Sequence, residues 1–170
     1  MKWSVLTLVG ADQAGIVAAV TDALYQRGCN LAQASMMRLG ANFAIMLRVS
    51  HESDKDLHQI LDGICKEMNL HLHIDEDVNT DVSRIEPDVQ VTVYGADRGG
   101  IVAQVTSALA LAGLNIIDLE TDVGGSKDKP IYIMTMEGIA KNGIDPLQKA
   151  LDDLNTDIEI NLDEINTLRG

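Results

Sequence analysis

Aromatic side chains are scarce: one Trp, three Tyr and one Phe make up 3% of a chain of 170 residues. A module that stacks bases or sugar rings on aromatic platforms needs more of them. Basic clusters are missing too. Thirteen Lys and Arg stand against 26 Asp and Glu, a net charge of −13, and no stretch gathers the basic residues. Direct binding to nucleic acid or to an anionic membrane is therefore not expected. Cysteine is limited to Cys29 and Cys65, both inside apolar patterns and without a Cys-x-x-Cys. They read as reduced core residues of a cytoplasmic protein. No apolar run approaches the roughly 18 residues a membrane span requires, and no signal peptide precedes the first strand pattern. Nucleophile-elbow, Cys/His and paired-acid signatures are also lacking. The expectation is a protein that is not an enzyme and carries no cofactor.

What the chain does contain is a repeat. Gly10-Ala11-Asp12-Gln13-Ala14-Gly15-Ile16-Val17 returns as Gly95-Ala96-Asp97-Arg98-Gly99-Gly100-Ile101-Val102. The match continues without a gap to Asn30-Leu31 and Asn115-Ile116, with 13 of 22 positions identical from Gly10 to Leu31. Two copies of one small domain follow, over residues 1–78 and 88–170, with residues 79–87 as a polar linker.

Each copy reads strand, helix, strand, strand, helix, strand. Residues 2–9 are β-rich; from Gly15, the apolar positions Ile16, Val17, Val20, Ala23 and Leu24 share one helical face, and Gly28 stops that helix. Residues 30–38 and 42–50 are strands, joined by a turn at Leu39-Gly40-Ala41. Ser53 or Asp54 is placed to cap a second helix bearing Leu57, Ile60, Leu61, Ile64 and Met68, before a strand at 71–75. The second copy repeats this order, with residues 124–129 expected as a solvated hairpin loop and Pro146 in the first turn of its last helix. The βαββαβ order gives an α+β fold of two ferredoxin-like units, each a four-stranded antiparallel sheet with two helices on one face. The third strand of each unit is apolar on both faces, which predicts that the helix-free side packs against another sheet from a second chain.

The repeated loop, residues 10–15 and 95–100, joins a strand to a helix. Its glycines let a ligand approach the main chain, and the free amides of a first helical turn favour an anion such as an amino-acid carboxylate. Asp12 and Asp97 have two readings: acceptors for a ligand ammonium, or caps for their own helices. Asn30 and Asn115, just past a helix-stop glycine, also suit a turn. Neither loop carries the Lys-Ser/Thr of a phosphate loop or the spacing of a dinucleotide fingerprint.

The run Gly-x-Asp-x-x-Gly-Ile-Val-x-x-Val-Thr-x-x-Leu, followed by Gly-x-Asn-Leu/Ile in a βαββαβ frame, resembles the ACT domain. Two copies alone in a chain of this length resemble the glycine cleavage system transcriptional repressor family. The resemblance implies binding of a small amino acid, glycine or serine before others, at interfaces between adjacent domains. It implies ligand contacts from Asp12, Gln13, Ala14, Gly15 and Ile16 with Asn30 and Leu31, and from Asp97, Arg98, Gly99, Gly100 and Ile101 with Asn115 and Ile116. It further implies a homodimer, allosteric regulation, and an effect on transcription through a protein partner, such as a DNA-binding activator. The other reading is a constitutive assembly module without a ligand. The copies differ where many ACT loops have Arg-Pro: the first has Gln13-Ala14, the second Arg98-Gly99, and only an arginine offers a fork for a carboxylate.

Overall fold

A computed structural model describes residues 1–76, 78, 85–96, 100–126, 129–154 and 158–165. It divides into two compact units, Met1–Ser83 and Arg84–Gly170. The expected linker 79–87 lies largely outside the described residues.

In unit 1, strand β1 (Lys2–Ala11) leads into helix α1 (Ile16–Gln26), strands β2 (Asn30–Leu39) and β3 (Asn42–His51), helix α2 (Leu57–Glu67) and strand β4 (Leu70–Asp75). The sheet order is β2-β3-β1-β4 and each pair is antiparallel. The alternation of β1 sends Leu6 and Leu8 to the helices, and Val20 and Leu24 of α1 and Leu57 and Leu61 of α2 meet them in one buried core with Phe43, Ile45, Leu47 and Val49. Gly28 takes a left-handed φ of 75° just past α1, as its stop position requires. The cap of α2 differs from the sequence expectation. Asp56, not Ser53 or Asp54, is the N-cap, and its carboxylate accepts the Gln59 amide at 3.0 Å. Residues 53–56 are used to bring the chain round from β3, so the helix starts later than its acidic run suggests.

Unit 2 repeats the order as β5 (Val89–Ala96), α3 (Ile101–Leu111), β6 (Leu114–Ser126), β7 (Lys129–Ala140), α4 (Ile144–Asp152) and β8 (Glu159–Glu164), with sheet order β6-β7-β5-β8. Its core joins Val89, Val91, Val93, Val105, Leu109, Met134, Met136, Leu147 and Leu151. The hairpin is longer than its sequence suggests: Gly124, Gly125 and Ser126 continue β6 and pair with Ile131, Pro130 and Lys129. Glycine and proline are tolerated there because this end of β7 extends beyond the last partner on β5, Ala96, and needs hydrogen bonds on one side only. Both second strands carry a bulge at the same place, between Leu31 and Gln33 and between Ile116 and Asp118.

The helix-free faces of the two sheets differ. In unit 1 the register aligns Met37, Ala44, Val9 and His71 in one row and Ser35, Met46, Thr7 and His73 in the next. Met37 and Met46 are 60% and 52% exposed. In unit 2 the corresponding rows hold Asp118, Glu120 and Asp122 on β6, Glu137 on β7, and Glu159 and Asp163 on β8. The expectation of an apolar helix-free side therefore holds only in part. Unit 1 mixes Met37, Ala44, Val9 and Met46 with Ser35, Thr7, His71 and His73 and with a further row of Gln33, Arg48, Val5 and Asp75. The helix-free side of unit 2 is acidic around Ile133 and Tyr94.

Candidate functional site

The loop between β1 and α1 starts at Gly10, where the chain leaves little room. A methyl group there would stand 2.8 Å from Leu70 and 2.9 Å from the Asn69 carbonyl, so glycine lets β1 pass the end of α2. Gly95 is enclosed in the same way by Ile158. Gly15 then takes φ 92°, ψ −5° as the N-cap of α1, and Gly100 takes the same angles as the N-cap of α3. The Ala19 amide bonds the Gly15 carbonyl at 2.9 Å, and Gln104 bonds Gly100 at the same distance. In both helices a threonine, Thr21 or Thr106, donates back to a carbonyl four residues earlier. The repeat is thus one of backbone conformation as well as of sequence. The amides of the first turn of α1 precede any intrahelical partner and face solvent beside exposed Ala14 and Gly15.

Asp12 does not cap the helix, because neither Gly15 nor any other residue supplies a side-chain cap to α1. Its carboxylate instead pairs with Arg38 on β2, Nε to Oδ2 at 2.9 Å, and its amide donates to the Ala41 carbonyl at 2.8 Å. Arg38 Nε also approaches the Gly40 carbonyl at 3.3 Å. Gln13 Nε2 donates to the Met68 carbonyl at 2.8 Å, tying the loop to the end of α2. Ile16 points inward and is buried. Arg38 was not among the residues expected from the sequence. Its pairing depends on the β2–β3 turn at Gly40, which brings residues 26 positions apart together.

Asn30 and Leu31 are not near this loop within one unit. Asn30 pairs with Ser50, and Ser50 with Trp3, whereas the loop leaves from Ala11, paired with Asn42. The eight steps from Trp3 to Ala11 span about 27 Å at ~3.4 Å each. Asn30 and Leu31 instead line an open depression of about 480 Å³ with Ala18, Thr21 and Tyr25, where α1 runs beside β2. In unit 2, Asn115 and Ile116 likewise stand at the far end of the sheet, opposite Ile139 and Gly138. Asp97, Arg98 and Gly99 lie outside the described residues; Gly100 and Ile101 begin α3 as Gly15 and Ile16 begin α1.

The other site-like chemistry is a serine–histidine pair. Ser4 Oγ lies 3.0 Å from His51 Nε2, and His51 Nδ1 lies 2.8 Å from the Glu52 carbonyl. A carbonyl only accepts, so Nδ1 carries a proton; in the neutral ring Nε2 then accepts from the serine hydroxyl. The pair is 1% and 4% exposed, closed to any substrate, and satisfies two polar groups at the edge of the core.

Residues 4–75 match the family model of the ACT domain. Comparison with curated proteins gives no significant match. Among solved structures, an unknown protein from Galdieria sulphuraria superposes with a TM-score of 0.79 at 24% identity, covering 97% of this chain and 99% of its own. A protein provisionally named as a glycine cleavage system transcriptional repressor gives a TM-score of 0.68 at 20% identity, covering 98% of each chain. These likenesses extend the fold over both units. Residues 4–75 thus match the ACT-domain family, and residues 89–164 repeat the same order of strands and helices and the same sheet order.

Proposed function

We propose that the chain is an amino-acid-sensing regulatory protein. It binds a small amino acid, glycine or serine by preference, at interfaces between ACT domains and acts on transcription through a protein partner, as in glycine cleavage system regulation. The observation that carries this reading is the separation of the unit 1 candidate site into two halves at opposite ends of its sheet. Strand β2 is an edge strand exposed along its whole length. Its loop-proximal end holds Arg38 and Leu39 near Asp12, and its distal end holds Asn30 and Leu31. Antiparallel apposition of two such edges across a twofold axis sets the loop of one copy beside Asn30 and Leu31 of the other. A homodimer then completes what a single unit leaves apart, and ligand binding biases how the copies pack. We assign the protein no catalytic step. Its output goes through a partner such as a DNA-binding activator, since its own charge is unsuited to DNA.

Thermal unfolding against each of the twenty amino acids at millimolar concentration tests this. A ligand at a hundred times its Kd stabilises the fold by about 2.7 kcal/mol, a shift of several degrees. A selective rise with glycine or serine is expected, and Arg98→Ala should diminish it. The assembly-module reading draws on a specific observation: Asp12 and Gln13 already have protein partners. A flat panel across all twenty would establish that reading and end the sensor proposal.

A further inference from the structure

The two copies of the loop differ at one charge, Gln13 in the first and Arg98 in the second. The structure reveals a reciprocal difference on the neighbouring strand. Arg38 pairs with Phe43, which pairs with Gly10; Val123 pairs with Tyr132, which pairs with Gly95. Gly10 and Gly95 are matched positions of the repeat, so Arg38 and Val123 occupy the same place in the two sheets. Each copy therefore has one arginine beside its loop sequence: unit 2 in the loop itself, unit 1 on β2.

We propose that Arg38 is the carboxylate-binding residue of the unit 1 site and that, with Asp12, it reads both charged ends of an amino-acid zwitterion. This rests on the amino-acid-binding reading above. The geometry suits the role. Both contacts of the Arg38 guanidinium, to Asp12 and to the Gly40 carbonyl, use Nε. Among the described residues, Nη1 and Nη2 make no hydrogen bond. The planar group is thus held by one edge while its outer fork, the part that takes a carboxylate through two parallel N–H···O bonds, remains open. On Asp12, Oδ2 makes the ion pair with Arg38 Nε and Oδ1 has no partner among the described residues, leaving an acceptor for an ammonium group. A donor fork and an acceptor oxygen, joined to each other at 2.9 Å, match the α-carboxylate and α-ammonium of one amino acid.

The test is calorimetric titration of glycine and L-serine into the full chain, and into the chain carrying Arg98→Ala, in which only the unit 1 loop keeps a neighbouring arginine. Adding Arg38→Val to Arg98→Ala should weaken the remaining binding about tenfold or more. Adding Gln13→Arg to that pair, which gives unit 1 the arrangement of unit 2, should restore it. Ethanolamine, which is serine without its carboxylate, should behave the same with and without Arg38→Val. Arg38→Lys keeps the charge without the fork and provides a second, conservative variant, expected to bind weakly. Undiminished binding by either Arg38 variant overturns the proposal while leaving the sensor reading intact. So does loss of all binding with Arg98→Ala alone. A wild-type chain that takes up neither glycine nor serine overturns both.

Discussion

Cys29 and Cys65 show how burial sets the chemistry of single side chains. Cys29 closes the core under the start of β2, and Cys65 packs against the same core from α2. Burial pushes the Cys29 thiol above its ordinary 9.0, with Lys55 pulling part of the way back; for Cys65, burial and the nearby Asp62 both push upward. A thiol whose pKa is raised by folding keeps its proton after the unfolded chain has lost its own. Its contribution to stability is therefore complete below pH 9.0 and declines as the pH climbs past it. Urea unfolding of the reduced protein should give a lower midpoint at pH 10 than at pH 8, and part of that decline should vanish in Cys29→Ala. Iodoacetamide at pH 8 should modify the native thiols at least about tenfold more slowly than those of the urea-unfolded chain. At this scale the sequence was informative about the cysteines, whose apolar neighbours showed their burial. It was silent about Arg38 and about the Gln13 bond to Met68, because those partners are chosen by strand register and by where α2 ends.

Among the elements, helices and strands were legible wherever hydrophobic period and glycine stops agreed, as in α1 and α3. Their ends were less so. The acidic run Ser53-Asp54-Lys55-Asp56 offers several oxygen-bearing caps, and only the path of the chain after His51 selects Asp56. Asp56→Ala should cost about 1 kcal/mol in denaturant unfolding, while Ser53→Ala and Asp54→Ala should leave the midpoint nearly unchanged. Equal losses at all three positions would mean that the cap is shared. The β6–β7 hairpin was misread for a related reason. Local propensity marks Gly124-Gly125-Ser126 as loop, yet pairing with β7 outweighs it, since each added residue pair extends an antiparallel ladder already in register.

For the whole molecule, the repeat made the two-unit organisation evident from sequence, and the shared angles of Gly15 and Gly100 show how closely the copies agree. What the repeat concealed is their divergence on the helix-free side. Unit 2 places Asp118, Glu120, Asp122, Glu137, Glu159 and Asp163 in adjacent rows, with no lysine or arginine among them. These charges repel one another across a partly solvated surface, and salt weakens that repulsion. Glu120→Lys, opposite Thr135 and between two acids, should raise the melting temperature at about 20 mM NaCl by the equivalent of about 0.5 kcal/mol. Most of the gain should disappear at about 300 mM. A variant no more stable than wild type at low salt would show that these carboxylates are already offset.

In the dimer proposed above, each site would draw its loop from one molecule and Asn30 and Leu31 from another. A receptor whose halves belong to different molecules has no fixed affinity of its own. Its occupancy depends on the amount of protein as well as on the amount of amino acid, because diluting the chain withdraws half of each site. A cell that makes more of such a protein lowers the ligand concentration at which it responds, so expression level would serve as a second input to the same switch.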